Sequence, residues 1–442
     1  MGRLTIFPCL ALIVWLLVRD IRRRGPLSAA LWVPILTLLA LASRTPALWL
    51  QGHPPITDLP NEAPGSPLDQ TFFFLMIAGS LLVVSLRRVK WSKVLAANAA
   101  LTLFYAYFLV SSLWSAYPSA SFIRVVKDFG LMVVVVLVIL SEKNPVAAVG
   151  AVYTRCACVL FPLSVVLIRF FPQGRMYGNS GEATYVGVAL QKNSLGEMVM
   201  VFILFLLWDH LETRPAGAKW PWSGMRWDFI MLALAGLWLL YMSESVTSWV
   251  CLWLGVGLIL GADRFARPAT GRVMLLIAMS LPFLLFFTQY SNSAATPLLA
   301  ALGRDATFTG RSYIWEHITS GTVNPLIGAG FNNFWGGAGA KAINEALQTR
   351  VPTAHDGYLD IYLDGGVIGL VLLFCLLFAS GNRLLRKLRV NRFQAFRFAF
   401  LIVAIVSNLT ESNIARSCPV WFATLLVLVE FPSPEVKEVS RH

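Results

Sequence analysis

The chain has 442 residues, of which 57% are hydrophobic and only 13% are charged, and its formal net charge is +13. The mean hydropathy of +0.67 excludes an ordinary soluble domain and is typical of a helical membrane protein with several spans. The positive charge could indicate nucleic-acid binding, but its distribution along the chain favours another explanation.

Apolar segments of about 20 residues, the length of a membrane span, follow one another along most of the sequence. We predict about 13 spans, centred on residues 4–18, 27–43, 69–86, 94–113, 124–140, 146–169, 192–208, 227–244, 247–262, 272–288, 358–380, 395–412 and 414–430. The first segment is short and contains Pro8. It could instead be an interfacial helix or a signal-like segment, which would leave about 12 spans.

The basic residues cluster on alternate connections between the predicted spans. These clusters are Arg19, Arg22, Arg23 and Arg24; Arg87, Arg88, Lys90 and Lys93; Lys143; Arg214, Lys219 and Arg226; Arg264, Arg267 and Arg272; and Arg383, Arg386, Lys387, Arg389 and Arg392. Cytoplasmic loops of membrane proteins carry such an excess of Lys and Arg, so this face is predicted to be cytoplasmic. On the other face the clearest exceptions are Arg44, Arg124 and Lys127. The charge therefore indicates membrane topology and no nucleic-acid partner.

The predicted fold is an all-α polytopic membrane protein, a bundle of about 12–13 transmembrane helices with one long periplasmic loop that contains short helices. Its predicted parts are transmembrane helices with short loops (1–288), the long periplasmic loop (289–357), C-terminal transmembrane helices (358–430) and a cytoplasmic tail (431–442). The cysteines nearly all lie in apolar runs, without disulfide or metal-ligand spacing, and are predicted to be small core residues.

Two of the shorter outward loops are candidates for function. The loop from Ala42 to Leu68 is rich in proline, and its acids lack the spacing of a divalent-metal site, which indicates a structural surface loop. The loop from Phe170 to Gln191 contains Arg175 and leads to Lys192. Both side chains could simply reach the headgroups, or they could form a cationic pocket for an anionic substrate group.

The long loop contains an arginine in an unfavourable local position. Thr309 is a plausible N-cap for a short helix from Gly310 to Thr319, which places Arg311 in the first helical turn. The helix dipole disfavours a cation there, and a local rule broken without local compensation tends to mark a functional position. The guanidinium and the free first-turn amides would together suit a phosphate or pyrophosphate.

His355 ends this loop, just before the next span. A lone histidine is more often structural than catalytic, but its place at the outer mouth of a span, in the loop of Arg311, makes a general base and a structural group about equally good explanations. Asp360 and Asp364 lie one turn apart below it, at a depth where acids usually have a partner. The spacing of Gly365-Gly366 and Gly369 predicts close helix packing, and that of Gly328-Ala329-Gly330 a flexible turn.

The motifs of this region together resemble one family. They are Thr309-Gly310-Arg311-x-x-Ile314-Trp315, Asn324-Pro325-Leu326-x-Gly328-x-Gly330, His355-Asp356-Gly357-Tyr358-Leu359 with Gly366 and Gly369, Lys192-Asn193-Ser194-Leu195-Gly196, and Glu411-Ser412-Asn413. In order and spacing they resemble the O-antigen ligase and polysaccharide polymerase superfamily, in particular the branch that extends secreted polymers such as succinoglycan. The resemblance covers the chain from about Arg175 to Asn413.

The resemblance implies a glycosyltransferase that moves glycan from an undecaprenyl-pyrophosphate carrier at the periplasmic face of the bacterial inner membrane, with no metal or other cofactor. It implies that Arg175 and Arg311 engage the pyrophosphate and that His355 activates the acceptor hydroxyl. The family usually has asparagine after this histidine, and here the residue is Asp356. An aspartate could still orient the imidazole.

The resemblance also makes several residues candidates for substrate binding, namely Lys192, Asn193, Asp356, Tyr358 and Asn413. The partners it implies are the lipid-linked glycan donor, a glycan or lipid-linked acceptor, membrane lipids and other polysaccharide-assembly proteins. Two other functions remain as alternatives. A transporter or flippase of lipid-linked saccharides would need ionisable residues and broken helices in several spans, and a metal-dependent glycosyltransferase would need paired acids in an outer loop.

The predicted orientation can be tested by cysteine labelling. In a background without the native cysteines, single cysteines replace Ser291 in the long loop and Asn382 beside the last basic cluster. A membrane-impermeant thiol reagent that passes the outer membrane should label the first in intact cells and not the second. Equal labelling at both positions would contradict the orientation.

Overall fold

The fold is seen in a computed structural model that describes residues 2–51, 66–177, 182–214, 224–262, 267–290, 315, 323–347 and 351–432. Helices up to the middle of the chain are α1 (Ile6–Arg24), α2 (Trp32–Leu41), α3 (Pro46–Gln51), α4 (Pro67–Leu86), α5 (Trp91–Ala97), α6 (Ala99–Ser111), α7 (Pro118–Asp128), a π-helical turn (Phe129–Val134), α8 (Val135–Leu140), α9 (Pro145–Phe170) and α10 (Lys192–Thr213). Those that follow are α11 (Trp227–Ser243), α12 (Val246–Leu260), α13 (Pro268–Tyr290), α14 (Ala338–Leu347), α15 (Gly357–Lys387), α16 (Arg392–Ser407) and α17 (Pro419–Leu428).

Each predicted span coincides with helix, which confirms an all-α polytopic membrane fold. Among the described residues, four helices are long and apolar enough by themselves to cross a membrane, namely α4, α9, α10 and α15. A fifth span is obtained if α5 and α6, which meet at a bend of 97°, are counted together. Several other apolar helices are shorter than the roughly 20 residues of a full span. The number of spans, about 12–13, therefore stays a prediction.

The first helix is an integral part of the bundle. Arg24, at the C-terminal end of α1, donates to Asp209 of α10 at 2.7 Å through both terminal nitrogens and to Asp20 at 2.7 Å. Its side chain is only 4% exposed. Arg155 of α9 donates to the other oxygen of Asp20 at 2.9 Å. Because a buried ion is costly without its partner, this network anchors α1 to α9 and α10.

The most buried helices are α9, α10, α16 and α17, and aromatic rings fill the space between them. Tyr153 and Phe205 stack at 3.5 Å, and Phe396 meets Phe205 at 4.7 Å. The helix α4, by contrast, is mostly exposed, as expected for a helix that faces lipid.

Four of the six cysteines are buried as predicted, but Cys375 is exposed, so the prediction of core packing is wrong for that residue.

The long helix α15 is interrupted at Gly366, which has φ 61°. The loop segment 324–330 fills the break: Ala329 and Gly330 donate main-chain hydrogen bonds to Leu363 and Asp364 at 2.9 and 2.8 Å, and Val367 donates to Pro325 at 2.9 Å. A Cβ at Gly366 would overlap the backbone of Leu326. Helix packing was thus the wrong explanation for this glycine, although Gly365 and Gly369 do pack against Phe108 and Tyr107.

The glycines of the inserted segment also have a defined role. Gly328 and Gly330 have φ of 68° and 93°, a region that favours glycine, and a Cβ at Gly328 would overlap the backbone of α15. The prediction of a merely flexible turn is wrong, because the close approach of two backbones requires glycine at these positions.

The only strands in the described part of the chain are β1 (Arg175–Tyr177) and β2 (Ala183–Tyr185), which form an antiparallel hairpin in the loop before α10.

We predict that Gly366→Ala lowers stability by at least ~2 kcal/mol, since an L side chain is strained at this φ and its Cβ meets backbone that cannot move aside. The matched control is Gly257→Ala in α12, where an added methyl group meets no atom within 4 Å. Thermal unfolding of the purified proteins in detergent measures both. Equal melting temperatures would contradict the described break.

Candidate active site

Three segments meet at the end of the bundle that is predicted to face the periplasm: the start of α10, the start of α15, and the turn 408–418 between α16 and α17. The side-chain amide of Asn193, on α10, donates to Glu411 Oε1 in the turn at 2.9 Å. The backbone amide of Gly357, at the start of α15, donates to the carbonyl oxygen of Asn408 at 2.9 Å. These contacts bring together groups from three of the sequence motifs.

His355 lies at the centre of this site. Its Nδ1 is 3.7 Å from Glu411 Oε2, and the imidazole is 27% exposed while the Glu411 side chain is only 9% exposed. A carboxylate at Nδ1 favours the tautomer with the proton on that nitrogen, which leaves Nε2 free to accept a proton. The separation is longer than a hydrogen bond, but such contacts commonly tighten when substrate binds. The pair can therefore act as a base and its orienting carboxylate.

The backbone around His355 is held on both sides. His355 has φ 52°, which is uncommon for a residue other than glycine. Before it, the amide of Ala354 donates to Asp360 Oδ1 at 3.1 Å and its carbonyl accepts from the indole of Trp315 at 2.9 Å. After it, the amide of Gly357 donates a hydrogen bond to the carbonyl oxygen of Asn408. Strained backbone that is held so firmly is common at functional sites.

Asn408 connects the two halves of the site. Its side-chain oxygen accepts from the amides of Asn413 and Ile414 at 3.1 and 3.0 Å, in addition to the bond from Gly357 to its carbonyl. A Cβ at Gly357 would overlap this side chain, so the close approach needs glycine at that position. Asn408 thus fixes the position of the turn that carries Glu411 relative to the start of α15.

Asp356 forms the N-cap of α15. Its Oδ1 accepts from the amides of Tyr358 and Leu359 at 2.8 and 3.1 Å. The carboxylate that lies beside the imidazole of His355 is that of Glu411. Asparagine and aspartate are almost equally good N-caps, which gives a physical reason why aspartate can stand where the family usually has asparagine.

The two buried acids of α15 have the partner that was expected for them. Arg416 Nη2 lies 3.4 Å from Asp360 Oδ2 and 3.7 Å from Asp364 Oδ2. Asp360 also accepts from the indole of Trp335 at 2.7 Å, and Asp364 from the amide of Asn333 at 3.2 Å. These acids bind the loop to α15 and so support the backbone before His355.

The structure does not bring all of the predicted site residues together. Arg175 donates through Nε and Nη2 to the carbonyl oxygen of Ile168 at 3.1 and 3.0 Å. It thus provides a hydrogen-bond partner for a main-chain carbonyl at the C-terminal end of α9. Lys192 is 3.4 Å from Glu244, and both side chains are largely exposed, so this pair adds little stability. Arg311 and its predicted helix from Gly310 to Thr319 lie outside the described residues, apart from Trp315, which is helical.

Two of the predicted substrate-binding residues face the protein interior. The buried hydroxyl of Tyr358 donates to the carbonyl of Ile405 at 2.9 Å. Asn413 is 3% exposed, and its amide nitrogen donates to Glu197 Oε1. Both therefore have structural partners, and of the amide residues proposed for substrate binding only Asn193 contacts the His355–Glu411 pair directly in the described contacts.

Sequence reasoning missed three residues near the site. Glu411 was seen only as part of a motif, and Glu197, an acid within an apolar span, was not considered although such residues usually have a function or a partner. Arg44 was noted only as an exception to the charge bias; it donates to the carbonyls of Gln173 and Gly187, in the loop that carries Arg175. In the described part of the chain no three His, Cys, Asp or Glu side chains are grouped as metal ligands.

Comparison with known proteins agrees with this architecture. Residues 230–374 match the family described as O-Antigen ligase. The matched region includes His355 and the position of Arg311 and ends within α15, while Arg175, Asn193 and Glu411 lie outside it. The chain is therefore a multi-pass membrane protein in which residues 230–374 match the O-Antigen ligase family, and this match confirms the resemblance.

Individual relatives match more of the chain. The exopolysaccharide production protein ExoQ of Rhizobium meliloti (strain 1021) is 24% identical over 311 residues, which cover 68% of this chain and 69% of that protein. A protein of Rickettsia typhi (strain ATCC VR-144 / Wilmington), named as a candidate polysaccharide ligase, is 23% identical over 75% of this chain and 80% of its own length. A similarly named protein of Rickettsia felis is 25% identical over 48% of this chain and 54% of its own.

We predict that Asp356→Asn keeps both stability and activity, because the amide oxygen can accept the same two backbone hydrogen bonds. Asp356→Ala should lower stability by about 1 kcal/mol. Melting temperatures and product formation of the two purified variants test this. If Asp356→Asn lost activity at an unchanged melting temperature, the carboxylate would have a chemical role and the capping explanation would be incomplete.

Proposed function

We propose that this protein is an inner-membrane glycosyltransferase of the polysaccharide polymerase or O-antigen ligase type. It takes glycan from an undecaprenyl-pyrophosphate-linked donor and transfers it to an acceptor sugar hydroxyl at the periplasmic face. The reaction is a metal-independent displacement with inversion at the anomeric carbon. The family match and the relatives named for exopolysaccharide production and polysaccharide ligation support the glycan chemistry.

The observation that carries the proposal is the arrangement of His355, Glu411 and Asn193. Glu411 accepts from Asn193 through one oxygen and faces His355 Nδ1 with the other. The amide therefore fixes the carboxylate, and the carboxylate orients the imidazole. The partly exposed imidazole can then receive a proton from a hydroxyl at the surface of the bundle.

The chemistry requires little beyond these groups and a cationic site. The acceptor oxygen attacks the anomeric carbon, its proton passes to His355 Nε2, and the bond to the pyrophosphate oxygen breaks with its electron pair leaving on the phosphate. Stabilisation of that developing charge is the role proposed for Arg311 and Arg175. The contact of Arg175 with Ile168 uses two of the five N–H groups of a guanidinium, so others are available for phosphate.

The alternative function is a transporter or flippase of lipid-linked saccharides. The interrupted helix α15 with its buried Asp360 and Asp364 is the feature that such a protein would need. Here, however, the segment 324–330 fills the break with main-chain hydrogen bonds, which favours a fixed structure over a moving gate.

An assay with purified protein separates these functions. The protein is incubated with a lipid-pyrophosphate-linked oligosaccharide, with and without EDTA, and products are separated by chain length and acceptor. The proposal expects transfer of glycan at equal rates in both conditions and inverted configuration in a defined product. Loss of activity with EDTA would indicate a metal-dependent enzyme, and movement of intact donor across vesicles without transfer would indicate a transporter.

We predict that His355→Ala lowers product formation by about 10²–10⁴, the usual contribution of a general base, while the lipid-linked donor accumulates. His317→Ala, in the same loop, is the control and should have little effect. Rates are compared per amount of monodisperse protein, so that a folding defect is not mistaken for a catalytic one. If the His355→Ala protein kept more than about a tenth of normal activity, His355 would be a structural residue and not the general base.

A further inference from the structure

A groove lies at the opposite end of the bundle, beside the C-terminal part of α1. It has a volume of about 380 Å³ and is lined by Trp15, Val18, Arg19, Arg22 and Arg23. By the predicted topology this end faces the cytoplasm, so the groove lies where headgroups of the inner leaflet meet the protein. Three arginines and two apolar side chains thus share one surface depression, far along the chain from any residue of the proposed active site.

The charges around the groove do not balance. Among the described residues, the ion pairs of this region join five arginines to three aspartates: Arg19, Arg23, Arg24, Arg155 and Arg226 pair with Asp20, Asp209 and Asp228. Arg22, a sixth arginine, lines the groove and forms no ion pair with the described residues. Glu212 and Arg392, at the edge of the cluster, add one charge of each sign. The buried arginines Arg24 and Arg155 form the shortest ion pairs with the aspartates. The positive charge that has no acidic partner therefore lies on the side of the groove.

Two of the groove arginines, Arg19 and Arg22, are weakly partnered, whereas Arg23 Nη2 donates to Asp20 Oδ1 at 3.1 Å. Arg19 is 3.9 Å from Asp228, too far for a strong pair, and its guanidinium lies 4.0 Å above the ring of Trp227. Trp15 packs against Trp227 at 4.7 Å and forms a rigid wall. The Nε atom of Arg23 is buried and donates no hydrogen bond within the described residues. Arg19, Arg22 and the Nε atom of Arg23 can therefore bind an anion while the contact between Arg23 and Asp20 stays in place.

An apolar stripe on α1 leads into the groove. Leu10, Val14 and Val18 are 49%, 58% and 39% exposed, and their spacing of four residues continues to Arg22. Side chains at this spacing lie along one face of a helix. A molecule with a phosphate group in the groove could therefore lay an acyl chain along the same helix. A soluble phosphate would make no use of the stripe.

We propose that this groove binds one anionic phospholipid of the cytoplasmic leaflet. The phosphodiester pairs with Arg19 and Arg22, which have no close acid, and accepts from Arg23 Nε, while an acyl chain packs on Leu10, Val14 and Val18. Basic pockets at the cytoplasmic ends of transmembrane helices are suited to such headgroups, and each arginine near the surface raises affinity about fivefold. Binding would also hold the end of α1 against the bundle, and it does not depend on the proposed glycan transfer.

The test measures lipid binding by the full-length, delipidated protein in detergent. Phosphatidylglycerol and phosphatidylcholine are titrated in parallel, and bound lipid is counted by native mass spectrometry. The wild-type protein should bind the first phosphatidylglycerol at least about tenfold more tightly than phosphatidylcholine. The double variant Arg19→Gln, Arg22→Gln should weaken phosphatidylglycerol binding by roughly 25-fold and leave phosphatidylcholine unchanged.

The control is Arg88→Gln with Arg386→Gln, which removes the same charge from two exposed positions outside the groove. This variant should keep the preference for phosphatidylglycerol. Equal loss of binding in both double variants would show a general effect of net charge and overturn the proposal. Displacement of the lipid by millimolar inorganic phosphate would also overturn it, because the groove would then recognise a soluble anion.

Discussion

The hydrogen bonds of Asn408 determine how the proposed base and its carboxylate face each other. Through its carbonyl this residue receives the amide of Gly357, and through its side chain the amides of Asn413 and Ile414. One residue thus connects the helix that begins after His355 with the turn that contains Glu411. Asn408 is only 2% exposed, so water cannot readily replace these bonds, and a buried group left unpaired there costs several kcal/mol. The geometry of the site depends on this requirement more than on the contact between the two side chains themselves.

The same requirement explains the centre of α15. A helix that is interrupted inside the bundle exposes main-chain groups, and here they are satisfied by the backbone of 324–330 and by the hydroxyl of Tyr107, which donates to the carbonyl of Gly365 at 2.6 Å. Arg416 then pairs with Asp360 and Asp364, which lie one turn apart on the helix before the break. The motif around Asn324 is therefore a structural element, and the site above it is supported by the helix that this motif completes.

The helices could be predicted from sequence because apolar runs of span length leave few alternatives in a chain of this composition. Contacts between distant segments could not. Nothing local joins Glu411 to His355, and the spacing of Gly365, Gly366 and Gly369 is the same for helix packing as for a helix break. In the same way, an outward arginine such as Arg175 can bind a phosphate or satisfy the last carbonyls of a helix, and only the fold distinguishes the two.

The insertion of 324–330 into α15 also places a condition on how the protein is made. Chains emerge from the ribosome N-terminus first, so this segment is synthesised before α15. The backbone groups around Gly366 can then find their partners as soon as the helix arrives. A sequence order in which the helix came first would leave the main-chain groups of an interrupted helix unpaired in lipid, at a cost of several kcal/mol for each group.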